Sequence, residues 1–305
     1  SMVPTFLLTA VLIFSFMHLI PGDPAAVMLG DMATADQVEA LREEMGLNEP
    51  VFVQFGIWFW GVLQGDLGRS IFFEKPVMDV IAARIETSIF IATISMALIM
   101  FIGIPIGIIS AVRYNSILDQ FFSGFAMLGA SIPTFWLGLN LMLLFAVVFQ
   151  LLPSSGFPSV IASGDITNLR YLILPCVTLA APNSALIIRL TRSSMLDIMR
   201  EDYVTTARSK GLAETIVNIK HVFRNALISI VAALGFTFVG LASGTVVTET
   251  VFALPGIGRL VVESILRRDY PVIQGVVLVI VVVYMIFNLL VDLSYAYLDP
   301  RIRYR

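Results

Sequence analysis

Long apolar runs alternate with short polar connections along this chain, six runs in all. A helix needs about 20 apolar residues to cross a hydrocarbon core about 30 Å thick, where the backbone must satisfy its own hydrogen bonds. Residues 3–20, 88–112, 124–152, 171–190, 227–247 and 272–295 meet or nearly meet that test. The first run is short enough to need a further turn upstream. Between the fourth and fifth runs lies a polar island over 202–225, reading DYVTTARSKGLAETIVNIKHVFRN. Its periodicity predicts a short helix over 203–210 with Tyr203, Val204 and Ala207 on one small apolar face. Gly211 then turns the chain, and a second amphipathic helix over 214–223 leads into the fifth run. Two readings of this helix–turn–helix are open: an ordinary amphipathic linker, or a grip for another protein.

The connection over 21–87 is longer and acidic. Thr34 stands three residues before Gln37, a capping-box pattern that predicts a helix over 34–45, and Gly46 is placed to end it. A second helix is expected over 51–63, where Phe52, Phe55, Trp58, Phe59 and Trp60 suit an interface-lying or packed segment. These helices either cover the outer mouth of the molecule or take part in ligand binding. Within the runs, Gly103, Pro105 and Gly107 are expected to interrupt the second and Pro133 the third, as hinges, cavity lining or packing contacts. After the fifth run, Pro255-Gly256-Ile257-Gly258 is turn chemistry, and a short surface or re-entrant helix is expected over 259–268. Glu249, at the edge of the fifth run, requires a partner or water, or else faces solvent at the interface.

Composition sharpens this pattern into a class. Apolar residues make up 58% and charged residues 13% of the 305, against about 45–50% and about 25% in soluble domains. The fold class expected is therefore all-α integral membrane with six transmembrane helices. Lys and Arg in short loops set orientation. With the N-terminus inside, the inner loops hold Arg113, then Arg189, Arg192, Arg200, Arg208, Lys210, Lys220 and Arg224, then Arg301, Arg303 and Arg305. The short outer loops hold Arg170, Arg259, Arg267 and Arg268, so the island is read as cytoplasmic.

The expected organisation is a first transmembrane helix over 1–20, an extracytoplasmic helical segment over 21–87, a core over 88–298 and a cytoplasmic tail over 299–305. Residues 197–225 form the cytoplasmic loop of that core. Without a small-residue cleavage site, the first run reads as an uncleaved span, and Ser1 ahead of Met2 with no basic leader is consistent with a native start upstream.

Several chemistries are excluded. The single cysteine, Cys176, cannot form an internal disulfide, and two histidines, His18 and His221, do not make a metal cluster. No basic face with interleaved aromatics suggests nucleic acid. Polar groups at span depth are few: Asn140, Gln150, Asn183 and Arg189, the last placed to snorkel. A mid-membrane charge costs at least about 2.5–3.5 kcal/mol, and none is evident, which disfavours a proton relay.

With orientation set, the island carries a resemblance. Thr205-Thr206-Ala207, three residues, then Gly211 resembles the EAA loop of ABC importer permeases, where Glu-Ala-Ala-x-x-x-Gly forms the coupling helix. The Glu and first Ala positions are both Thr here, and the usual closing Ile-x-Leu-Pro falls on His221-Val222-Phe223-Arg224. The longer run from Tyr203-Val204 through Ala207-Arg208, Lys210-Gly211-Leu212 and His221 to Arg224-Asn225-Ala226-Leu227 is similar to the dipeptide, oligopeptide and nickel branch. Pro21-Gly22-Asp23-Pro24, Gly46-Leu47 with Pro50, Gly65-Asp66-Leu67-Gly68 with Ser70, and Ser131-Ile132-Pro133 with Phe135 look like the same branch. So do Glu249-Thr250-Val251-Phe252 with Pro255-Gly256, Arg268-Asp269-Tyr270-Pro271, and Asp292 with Leu298-Asp299-Pro300-Arg301. The resemblance covers nearly the whole chain in order.

It implies a permease subunit of an ATP-driven type I importer in a bacterial or archaeal cytoplasmic membrane. Its partners would be a second related permease, two cytoplasmic ATPase subunits and an extracytoplasmic substrate-binding protein. The cargo would be di- or oligopeptides, with nickel complexes or glutathione as alternatives. Tyr203, Thr205, Thr206, Ala207, Arg208, Lys210 and Gly211 would form the ATPase-coupling element, with Ala207 and Gly211 allowing close approach to the ATPase and Arg208 and Lys210 as rim charges. Glu249, Phe252, Pro255, Gly256 and Asp269 would form an extracytoplasmic gate or binding-protein contact. No Gly-x-x-x-x-Gly-Lys-Ser/Thr phosphate loop is present, so no cofactor is expected in this chain, and ATP and Mg would sit on the ATPase partners. A stand-alone channel or secondary transporter, and an intramembrane enzyme, are the competing classes. The enzyme lacks His-Glu-x-x-His or paired aspartates in the spans.

Overall fold

A computed structural model describes residues 2–19, 24–29, 34–44 and 46–298. Pro21-Gly22-Asp23 of the first signature, Asp299-Pro300-Arg301 of the last and the expected tail lie outside the described residues.

The order of elements is α1 (Met2–Leu19), α2 (Pro24–Leu29), α3 (Ala35–Glu44), α4 (Val51–Leu63), α5 (Val77–Val112), α6 (Ile117–Ser131) and α7 (Thr134–Leu141). A π-helical stretch, Met142–Val148, prolongs α7. Then come α8 (Val160–Ser163), a 3₁₀ stretch Ile166–Leu172, α9 (Ile173–Met199), α10 (Asp202–Ser209) and α11 (Glu214–Ile216). A second π-helical stretch, Val217–Phe223, joins α11 to α12 (Arg224–Val251), followed by α13 (Ile257–Arg267) and α14 (Tyr270–Leu298). Among the described residues the fold is all helical apart from turns and one isolated bridge between Arg69 and Pro76.

Among the described residues, four runs are long and apolar enough to cross a membrane: Val77–Val112, Ile166–Met199, Glu214–Val251 and Tyr270–Val291. A fifth, Ile117–Ser131 with Thr134–Val148, is a pair bent by 99°. The remaining expected run is α1, an apolar helix of 18 residues.

Two prolines behave differently from one another. The third run, expected over 124–152, breaks between α6 and α7 because Pro133 caps α7 and Ile132 is extended at φ −84, ψ 124. The residue before a proline is driven out of the α region. Pro105, by contrast, lies inside an uninterrupted α5, so the expected interruption of the second run is corrected. Gly103 and Gly107 serve packing instead. A Cβ on Gly107 would lie 2.6 Å from Thr191 Cβ and 2.8 Å from the Ile188 carbonyl oxygen, and one on Gly103 would lie 2.8 Å from Ile187 Cγ2. Their missing side chains let α9 approach α5 at van der Waals distance.

The chain forms two compact units, residues 1–85 with 259–286, and residues 86–258 with 287–305. In the first, α4 lays Phe55, Trp58 and Phe59 on α1, with Phe14 5.4 Å from Phe55 and 5.6 Å from Trp58 and Phe6 6.3 Å from Phe59. Phe52 and Trp60 remain exposed on its other face. The capping box at α3 is formed as expected: Thr34 N–H donates to Gln37 Oε1 at 2.9 Å, and Gln37 N–H to Thr34 Oγ1 at 3.4 Å. Gly46, at φ +65, ends that segment while Leu47 N–H reaches the Arg42 carbonyl at 2.9 Å. In α14, Gly275 leaves room for Val77 and Leu67, where a Cβ would lie 2.6 Å from Val77 Cγ1.

The second unit is built on α9. Ile91, Leu172, Leu179, Ile187, Leu241, Phe252 and Leu254 belong to its main buried cluster, and α9 packs against α6, α7 and α12. Phe238 stacks on Phe287 with ring centroids 3.5 Å apart.

Candidate functional site

The polar island folds as expected into two short helices, and packing decides which face each presents. Asp202 lies in the first turn of α10 and Arg208 in the last, an arrangement that complements the helix dipole. Val204 and Ala207, one turn apart, are both buried. They join Ala111, Met195, Val217, Val222, Ala226 and Ile230 in a cluster supplied by α5, α9, the second π-helical stretch and α12. The apolar face of α10 is therefore turned onto the chain's own core. Ala207, 7% exposed, supports α10 from beneath.

The rest of α10 and its turn is open to solvent. Tyr203, Thr205, Thr206, Arg208, Lys210 and Gly211 are exposed. Hydroxyls here bond back to the helix, Thr206 Oγ1 to the Asp202 carbonyl at 2.9 Å and Ser209 Oγ to the Thr205 carbonyl at 3.1 Å. Arg208 pairs with Glu214 at 3.0 Å across the turn. Gly211 makes that turn at φ +79, a left-handed conformation suited to glycine. The far side of α10 is held by a polar clamp: Asn225 Nδ2 donates to Tyr203 OH at 2.9 Å and to the His221 carbonyl at 2.7 Å. The clamp joins the start of α12 to the π-helical stretch at His221, a wider turn that often marks functional positions.

At the other end of α12, about 40 Å away at 1.5 Å per residue, stands Glu249, which is 0% exposed. Ser88 donates its hydroxyl to Glu249 Oε1 at 2.6 Å and accepts the Ile257 N–H at 2.8 Å. The carboxylate occupies the space where a Cβ on Gly256 would be. Leu254 N–H returns to the Glu249 carbonyl at 2.8 Å, closing the turn that leads into α13. Phe252 and Gly256 are buried and Pro255 partly so. The stretch from Glu249 to Gly256 is an internal stitch between α5, α12 and the start of α13, with Glu249 neither interfacial nor solvent-facing.

Asp269, in the other unit, is also 0% exposed. It accepts the Ser70 hydroxyl and the N–H groups of Ile71 at 3.2 Å and Phe72 at 3.1 Å. Two signature stretches nearly 200 residues apart, Gly65–Ser70 and Arg268–Pro271, are thus one structural element. Around it, Glu263 pairs with Arg84 at 3.0 Å and Arg259 at 2.8 Å, and Arg267 lies over Phe72. Burial of Glu249, Phe252, Gly256 and Asp269 means that a binding-protein contact made by these side chains themselves is not what the geometry supports.

The sequence reading missed one charged group. Arg192 Nε and Nη2 meet Asp119 Oδ1 and Oδ2 at 2.6 and 2.8 Å, joining α9 to α6. Ser116-x-x-Asp119 has the spacing of a capping box, and Ser116 does cap α6, accepting the Asp119 N–H at 3.3 Å. That signal marks the helix start and leaves the ion pair unannounced. Among the described residues no cluster of His, Cys, Asp or Glu could hold a metal.

Residues 103–304 match the family described as the binding-protein-dependent transport system inner membrane component. The chain belongs to this family. Residues 1–97 match the N-terminal segment described for the same systems. A relative named as a peptide transport system permease protein of Brucella abortus (strain 2308) is 42% identical over 302 residues, covering 99% of this chain and 96% of its own. One named as a peptide ABC transporter permease of Sinorhizobium fredii is 42% identical over 304 residues, covering 100% and 97%. The glutathione transport system permease protein GsiC of Pectobacterium atrosepticum is 43% identical over 305 residues, covering 100% and 97%. Among solved structures, the inward-facing methionine ABC transporter MetNI has a chain that superposes with a TM-score of 0.60 at 18% identity, covering 73% of this chain and 97% of that one. That likeness concerns the fold. As an inner membrane component of this family the chain is a multi-pass transport subunit, and the helical spans above are its membrane framework.

Proposed function

We propose that this transport component forms half of the translocation pathway of an ATP-driven importer of di- or oligopeptides. A second related permease supplies the other half, and two cytoplasmic ATPase subunits bind and hydrolyse ATP with Mg. An extracytoplasmic binding protein delivers the cargo. The observation carrying this reading is the two-sided α10: Val204 and Ala207 are buried against the ends of α9 and α12, while Thr205, Thr206, Arg208 and Lys210 face outward. A helix anchored on one face and bare on the other is the shape of a helix-in-groove contact, and its arginine and lysine suit an acidic groove rim. Its buried face packs on α9 and on the π-helical stretch that leads into α12, so a pull on α10 is felt by both. Relatives named for peptide transport, 42% identical over nearly the whole chain, support the cargo class. The 43% identical relative named for glutathione transport favours a second cargo, itself a tripeptide with free carboxylates.

The chain is to be purified with its partner permease and ATPases, reconstituted in liposomes, and offered labelled dialanine, glutathione or a nickel–histidine complex on the cognate binding protein. ATP-dependent accumulation of dialanine is expected. Accumulation of glutathione alone would move the cargo to the second reading, and ATP-independent flux by the isolated chain would refute the importer. The docking face is tested separately. Thr206→Trp should abolish co-purification of the ATPase without changing thermal stability, whereas Ala207→Trp should unfold the α10 corner.

A further inference from the structure

The seam between α6 and α9 is made of small residues. Ala126 packs with Ala185 and Ile188, and a Cβ on Gly129 would lie 3.8 Å from both the Ala181 carbonyl oxygen and Ala185 Cβ. A seam of this kind brings two backbones close by contact alone, which is less directional than a hydrogen bond. Near the start of α6 the seam is crossed by charge. Asp119, 2% exposed, takes both the Nε and Nη2 protons of Arg192. It also accepts the Asn115 N–H at 2.9 Å and the Ser123 hydroxyl at 3.3 Å. The Arg192 guanidinium lies 5.3 Å from the Tyr114 ring centroid, and Asn115 is held at φ +62. A bidentate guanidinium–carboxylate pair has a narrow geometry, and two further donors leave the carboxylate no alternative partner nearby. The pair therefore sets the register of α6 on α9 where the apolar seam does not.

Its place in the chain gives that register a use. Arg192 lies about two turns before α9 ends at Met199, and α10 begins at Asp202. The other end of α6 enters the 99° bend into α7. We propose that Asp119 and Arg192 are a register lock. Through it, movement of α10 carried by the end of α9 is passed to α6 and the bent α6–α7 segment. They are positioning residues for coupling, and this rests on the reading of α10 as the ATPase-docking helix. Its test uses no cargo, so a failure here is distinct from a failure of the peptide assignment.

Spin labels at Gln120→Cys on α6 and Glu201→Cys at the cap of α10, in a Cys176→Ser background, report their separation in the assembled complex with and without a non-hydrolysable ATP analogue. With the lock intact, one narrow distance is expected that nucleotide does not change, because α6 travels with α10. In Asp119→Asn and Arg192→Gln, nucleotide should shift the distance by about 2 Å or more, the scale of helix translations in switching proteins. Arg192→Lys, which keeps the charge and loses the fork, should fall between. The double variant Asp119→Asn/Arg192→Gln leaves no lone buried charge, so it keeps the fold even if a single change weakens it, and it should shift as far as the singles. A merely structural pair would broaden the distance equally with and without nucleotide. That result, unshifted distances in the variants, or a nucleotide-dependent shift already present with the lock intact, would overturn the proposal.

Discussion

Gly107→Ala tests how closely α5 and α9 are fitted. The added Cβ would lie 2.6 Å from Thr191 Cβ, 2.8 Å from the Ile188 carbonyl oxygen and 2.9 Å from Thr191 Cγ2, where ordinary carbon contacts are about 3.5–4.0 Å. Thr191 is β-branched and 0% exposed, and the carbonyl belongs to the backbone, so no rotamer change relieves the clash. The helices must part by about 1 Å, which forfeits a quarter to a half of the dispersion along the seam. Overpacking of this kind costs about 1–3 kcal/mol, while alanine regains about 1 kcal/mol of helix propensity over glycine. The net expectation is a loss of up to about 2 kcal/mol, or up to about 8 °C in Tm. Gly240→Ala is the internal control: Gly240 is also helical, but nothing lies within 4 Å of its Cβ position, so that variant should gain stability. Scanning fluorimetry of the purified protein in one detergent at one scan rate makes the comparison fair where unfolding is irreversible. A Gly107→Ala protein melting at or above Gly240→Ala would refute the close-packed seam.

Other expectations are shorter. Gly211→Ala should cost about 1 kcal/mol, because the turn needs φ +79 with open space around it; thermal scans of that variant decide it. Gly256→Ala and Glu249→Ala should each destabilise, by about 1–3 kcal/mol, yet the double variant should cost less than the two together, since removing the carboxylate vacates the space that the methyl needs. Strict additivity in the same melting assay would contradict that packing. Asp269→Asn weakens charge-assisted bonds worth about 1.5–3 kcal/mol each that hold residues 70–72, and should speed hydrogen exchange of the Ile71 and Phe72 amides; unchanged protection would count against the stitch.

Local features were readable from the residues alone because their causes are local. The Thr34–Gln37 capping box, the turn at Gly46, the bounds of α4 and the turn at Gly211 all follow from side chains within a few positions of each other. Pro105 and Pro133 show where that reading stops. Both lack an N–H, yet α5 passes through one and the α6–α7 segment breaks at the other. What a proline does in a span depends on the neighbours that re-satisfy the freed carbonyl groups. The candidate site divides in the same way. Its residues are legible as a motif, but that Val204 and Ala207 pack into a core with Met195 and Ile230 follows only from the packing.

The amino-acid order by itself determined the class, an all-helical membrane protein, and the positions of the island and its turn. Hydropathy and capping act over a single helix, and they need no knowledge of what packs alongside. Only the tertiary structure decided which face of α10 is spent on the protein's own core. It also joined Ser70 to Asp269, Ser88 to Glu249 and Asp119 to Arg192. Each of these pairs brings together side chains from distant parts of the chain, and burial makes their partners obligatory. The linear pattern names the charges; the packing of the helices says which of them meet.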